Sequence, residues 1–158
     1  MALGECEYTS AEIASFVAWR YVRNNQTEFI PRHVRDEFKI AEGTCRRLFS
    51  MLGGIIAIER GKVYLTLESG YGFTYKTYIL EGVPAMNGAP VKSPQGAFIM
   101  AYHLAKTRYT KEPISNEDLG QLVGWPASRA RQIVYYKMRL LPLRPVPPDK
   151  RSAWVAMN

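Results

Sequence analysis

Residues 40–67 read IAEGTCRRLFSMLGGIIAIERGKVYLTL, and the spacing of their apolar side chains decides the fold. Cys45, Leu48 and Leu52 fall on one helical stripe, and Gly53 and Gly54 offer the left-handed conformation that ends a helix. Beyond them, β-branched and aromatic residues on both sides of Arg60-Gly61-Lys62 predict strand, turn and strand. A helix that runs straight into a hairpin is the local unit around which the rest is read.

Upstream, TSAEIASFVAWRYVRNN spaces Ile13, Phe16, Val17, Trp19 and Tyr21 mostly as a helix does, with Thr9 or Ser10 as its cap and an end near Arg23. FIPRHVRDEFKI then offers Pro31 at a first helical position, with Val34 and Phe38 one turn apart. The order is therefore helix, helix, tight turn, helix, hairpin. Downstream the same order returns. SPQGAFIMAYHLAKTRY predicts a helix with Ser93 as cap and a buried stripe of Ala97, Met100, Ala101 and Leu104. ISNEDLGQLVG follows with Ser115 or Asn116 as cap and Leu119 paired with Val123. A third helix runs from Pro126 through ASRARQIVYYKMR, and LPLRPV, PPDKR and SAWVAM make a second hairpin. Pro142 and Pro145 confine its first strand to a sheet edge, because proline cannot donate to a ladder. Adding 85 carries Val34, Phe38, Cys45, Arg46, Leu48 and Ile55 onto Leu119, Val123, Ala130, Arg131, Ile133 and Leu140 without a gap. For the first helix the offset is 83. Lys137 falls where Leu52 sits, so its stem is expected to pack while its amine reaches water.

This order, and the run of small residue, polar residue, basic pair and leucine before a glycine-ended helix and hairpin, resembles the recognition helix and wing of the winged-helix superfamily. The resemblance covers Thr9 to Leu67 well and Ser93 to Met157 less closely. It implies an α+β, mainly helical chain of two tandem winged-helix domains, each three helices followed by a β-hairpin wing. The expected boundaries are 1–81 for the first domain with an added aromatic strand, 82–92 for a linker and 93–158 for the second domain. The added strand is read from the alternation of Tyr71, Phe73 and Tyr75. The commonest use of the fold in that superfamily is DNA binding; some members bind RNA and others only proteins.

The charge supports a polyanionic partner. The chain of 158 residues carries a formal charge of +7. The first 90 residues hold ten basic and ten acidic side chains, so the entire excess lies in the last 68. If Cys45, Leu48 and Leu52 face inward, Gly43, Arg46, Arg47 and Ser50 face outward. In the second copy, inward Ala130, Ile133 and Leu140 would expose Ser128, Arg131, Gln132, Tyr135 and Arg139, with Arg129 close by. Arginine bonds guanine, glutamine bonds adenine, and serine and tyrosine reach phosphates. The second wing adds Arg144, Lys150 and Arg151 against the single acid Asp149, whereas Lys62 and Arg60 on the first are offset by Glu59. The expected function is sequence-specific binding of double-stranded DNA by a small transcriptional regulator of phage or plasmid type. Affinity should sit mainly in the second copy, and a fragment from about Val91 should retain it.

Other readings are tied to other features. A winged-helix assembly, replication or partition factor would use the first domain to meet a protein and the basic end only for non-specific nucleic-acid affinity. The tyrosines from Tyr71 to Tyr78 are expected to be core or a homodimer contact or, with Lys76, to stack unpaired bases. No catalytic constellation is legible. His33 and His103 are not equivalent in the two copies, Cys45 lies on an inward stripe, and no phosphate loop or nucleophile elbow is present. Asp36-Glu37 and Glu117-Asp118 read as helix-dipole partners rather than paired catalytic acids. No enzyme activity, cofactor or metal is expected. Two cysteines, an acidic N-terminal MALGECEYTS and the absence of a long apolar run point to a cytoplasmic or nucleoid-associated protein with no membrane partner.

Overall fold

The computed structural model describes residues 9–24, 26, 28–52, 56–59, 62–65 and 93–157. They form an α+β, mainly helical chain whose elements fall into two runs of the same order. The first unit comprises α1 (Ser10–Asn24), β1 (Glu28–Phe29), α2 (Pro31–Phe38), α3 (Glu42–Met51), β2 (Ile56–Glu59) and β3 (Lys62–Leu65). The second comprises α4 (Ser93–Thr110), β4 (Ile114–Ser115), α5 (Asn116–Val123), α6 (Ala127–Lys137), β5 (Leu143–Val146) and β6 (Ala153–Ala156). Each closes with a three-stranded antiparallel sheet, ordered β1-β3-β2 and β4-β6-β5. Among the described residues no helix is long and apolar enough to cross a membrane.

The helix ends follow from local chemistry. Thr9, rather than Ser10, caps α1: its Oγ1 accepts from the Glu12 amide at 3.2 Å. Pro31 opens α2, and Lys39, at φ 54°, ends it. Ser115 caps α5, accepting from the Asp118 amide at 3.1 Å, and Gly124 stops that helix at φ 72°. Strands β1 and β4 were not foreseen, since two residues carry no periodicity. Glu28 and Phe29 pair with Tyr64 and Val63, so β1 is a third strand of the first sheet. The strand expected at Tyr71–Tyr75, like the linker 82–92, lies outside the described residues. Glu59 pairs with Lys62, which is therefore a strand residue and leaves only Arg60 and Gly61 between the strands. Pro145 does lie on an edge strand, opposite Trp154.

One stripe of α4 was expected to face the core, but Gly96 to Tyr102, Leu104, Ala105 and Thr107 are all buried. Consecutive residues turn by about 100°, so seven in a row enclose the whole circumference. The second side is covered by α1, itself buried from Ala11 to Ser15 and from Val17 to Trp19. The end of α1 lies along the second half of α4: Tyr21 stacks on Tyr102 at 5.9 Å, and Arg108 donates to the Arg23 carbonyl at 3.0 Å. The Tyr109 hydroxyl donates to the Val22 carbonyl at 3.4 Å. These bonds satisfy carbonyls that the last turn of α1 would otherwise leave open. One apolar cluster thus runs through both units. A fragment starting at Val91 would therefore expose the α1-facing side of α4.

Within the second unit Trp125 fits where glycine leaves room. A Cβ on Gly96 would collide with its indole ring, and one on Gly120 with its carbonyl. Gly96→Ala should therefore destabilise the chain by about 1–3 kcal/mol, the usual cost of overpacking. Gly43→Ala, where a Cβ meets nothing, should stabilise it by up to about 1 kcal/mol through helix propensity. Urea unfolding of both variants checks the opposite signs.

His103 lies half-buried on α4, edge-on to Tyr102 at 5.4 Å. Burial, with a smaller contribution from the Lys106 charge, lowers its pKa from 6.5 to about 4. The unfolded chain therefore binds a proton that the folded chain refuses, so stability falls as pH drops from about 6.5 towards 4. His103→Gln should lose less stability over that window than the wild type, measured as urea midpoints at each pH.

Candidate nucleic-acid interface

Helix α6 buries Ala130 and Val134, followed by Met138 and Leu141 just past its end. The expected inward set was Ala130, Ile133 and Leu140. Ile133 is only half-buried and Leu140 is 38% exposed, because the core row steps by four residues rather than three and seven. At about 100° per residue this turns the outward face by roughly a quarter of a revolution. Gln132 and Tyr136 now lie opposite the core row, with Ser128, Tyr135 and Arg139 beside them and Arg131 towards one flank. All six are exposed. Tyr136 was missed; the four-residue spacing of Ala130, Val134 and Met138 was the signal that could have found it. Lys137 is half-buried, in keeping with a packed stem.

The β5–β6 hairpin, the expected wing, is fastened at its base to the start of α5. Asn116 is buried, donates from Nδ2 to the Arg151 carbonyl at 3.0 Å and accepts at Oδ1 from Trp154 Nε1 at 2.9 Å. Its amide donates to the Ser152 carbonyl at 3.0 Å. The amides of Lys150 and Arg151 both donate to the Pro147 carbonyl at 3.2 Å, which shapes the tip. Arg151 adopts φ 50°, and its guanidinium lies 4.3 Å from the Tyr135 ring centroid. Wing and α6 therefore share one cationic, aromatic surface, with Arg144 and Lys150 exposed on the wing.

Arg129 does not join it. Its guanidinium lies 4.3 Å from the Trp125 ring centroid and donates to Ser93 Oγ at 3.4 Å, which fastens α6 to α4. It is half-buried, so this expected contact residue is held against Trp125 and Ser93 rather than standing on the outward face.

On α3 the expected outward residues Gly43, Arg46, Arg47 and Ser50 are exposed, while Cys45, Leu48, Leu52 and also Phe49 are buried. Burial pushes the Cys45 thiol pKa up, against the Arg35 charge and with that of Glu42, which opposes a nucleophilic role. Arg46 lies 3.7 Å from the Glu42 carboxylate and Arg47 donates to Thr44 Oγ1 at 3.2 Å. Arg35 pairs with Asp36 at 3.1 Å, and Arg20 is held by both oxygens of Glu37. Every ion pair among the described residues thus belongs to the first unit. Lys62 is in β3, and its side chain lies outside the described residues.

No protein-family model, curated protein or solved structure matches the chain. What the surface can do rests on its own chemistry: exposed guanidinium groups for phosphates, an amide for a base edge, and tyrosine rings for apolar contact.

Two arginines separate the fold from the surface. Arg129→Ala should lower unfolding stability by about 0.5–1 kcal/mol and leave duplex retention within about twofold. Arg151→Ala should reduce by about 1 the slope of log K against log salt. Melting curves and duplex titrations in graded salt give both readouts.

Proposed function

We propose that each unit is a winged helix and that the chain is a sequence-specific double-stranded DNA-binding protein acting as a small transcriptional regulator. The observation that carries this reading is the contact of Arg151 with Tyr135, which unites wing and third helix in a surface whose nearest sequence acid is Asp149. The matching strand order of the two sheets supports the fold assignment. In this reading α6 enters the major groove, Gln132 meets a base edge, and Arg144, Lys150 and Arg151 neutralise phosphates beside the groove. Each cation that meets a phosphate releases a counterion, so affinity falls with salt. The first unit adds weaker contacts through Arg46, Arg47 and Ser50, because its guanidinium groups already have carboxylate or hydroxyl partners.

Selection from a random duplex pool, followed by titration in varied salt with competitor, tests the function. An enriched sequence whose binding survives competitor is the expected result. Retention that is weak, salt-sensitive and indifferent to sequence would favour an assembly role instead. For the residues, Gln132→Ala should cost about 1–3 kcal/mol of discrimination between the enriched and scrambled duplexes. Lys150→Ala should weaken both equally, as loss of a phosphate contact does.

A further inference from the structure

On α6 one of the two residues opposite the core row is a large ring. Tyr136 is 59% exposed, and Tyr135 meets it edge-on at 4.7 Å. Arg151 lies 4.3 Å from the Tyr135 ring centroid, which braces the pair from the wing. Leu140, one turn beyond Tyr136, is exposed as well. Residues 127–137 contain no carboxylate, and Arg131 and Arg139 are exposed on either side of the rings. The patch is therefore apolar at its centre and cationic around it.

We propose that Tyr136, supported by Tyr135, contacts the C5-methyl group of a thymine in the duplex that α6 engages; this rests on the DNA-binding reading above. A helix in the major groove faces base edges, since the flat surfaces of paired bases are hidden by stacking. Thymine is the one standard base whose major-groove edge carries an apolar group. Gln132 precedes Tyr136 by four residues, about 6 Å along the axis. That rise lies between one and two base steps of about 3.4 Å, so the amide and the ring reach pairs one or two steps apart. Gln132 matches adenine and Tyr136 matches thymine, which makes a short A·T-containing element the natural target. The arginines around the rings complement the phosphates that border such an edge.

The test uses the full chain and the duplex enriched from the random pool, with deoxyuridine replacing thymine one position at a time. Loss of the contacted methyl should weaken binding about fourfold, the equivalent of one buried methyl group. The effect should persist in Tyr136→Phe and vanish in Tyr136→Ala, both confirmed as folded by circular dichroism. Tolerance of deoxyuridine at every position, or an enriched site requiring no A·T pair, would overturn the thymine contact while leaving DNA binding intact. Loss of the effect in both Tyr136→Phe and Tyr136→Ala would assign the role to the hydroxyl, and its persistence in both would assign the methyl contact to another residue; either overturns the proposal. A single-stranded competitor that binds better than the duplex would mean that the rings stack on unpaired bases, which also rejects it. If no duplex is enriched at all, the DNA-binding reading itself fails and the thymine contact falls with it.

Discussion

The packing of α1 along α4 is the constraint on which the other arrangements depend. A helix buried on every side cannot offer a polar face to water, so α4 must be covered from two directions at once. Its own unit supplies one cover and α1 the other. This explains why Ser93–Thr110 carries so little charge over its first three turns, and why Lys106 and Arg108 enter only towards its end. Arg108 and Tyr109 then reach the terminal carbonyls of α1, where a positive charge also complements the helix dipole. The two units are consequently parts of one packed body, and any relation between their outer surfaces is transmitted through this seam.

From that seam a chain of polar ties leads to the wing. Thr107 on α4 accepts from the Ala156 amide at 2.7 Å while donating to the Leu104 carbonyl at 2.8 Å. Asn116 holds the other end of β6 through the Trp154 indole and the Arg151 carbonyl. Both side chains are buried, where unmatched polar groups are costly, and both are matched. Because β6 is fixed at both ends, Arg151 is delivered to Tyr135 rather than left on a free loop. The position of this cation is thus a consequence of core hydrogen bonding.

The sequence was most legible where a residue acts locally. Pro31, Ser115 and the β-branched and aromatic hairpin residues set their elements through their own conformational preferences, and the expected helices lie close to their observed bounds. It was least legible where burial depends on a distant partner. The stripe on α4 needed knowledge of α1, and the two-residue strands β1 and β4 exist only through pairing with β3 and β6. On α6 hydrophobicity drew Leu140 inward, yet by that point the helix has ended and the chain turns away. The resulting error in rotation favoured Arg131 and passed over Tyr136. Arg129 misled for a related reason: sequence counts it as a charge, whereas its fixed partner is the Trp125 ring.

The difference between the two units is then electrostatic as much as geometric. A guanidinium already engaged by carboxylate, as Arg20 and Arg35 are, must give up that interaction or share it before meeting a phosphate. Arg46 is less committed, since its pair with Glu42 is exposed on both sides and such pairs contribute little, but the nearby carboxylate still repels an approaching anion. On the second unit the cations of the outer surface have aromatic or solvent surroundings. Arg151 illustrates the advantage, because a cation held over a ring keeps its N–H donors available at the ring's rim while losing rotamer freedom in advance. The distribution of acids, more than the distribution of arginines, therefore distinguishes the electrostatics of two similar scaffolds.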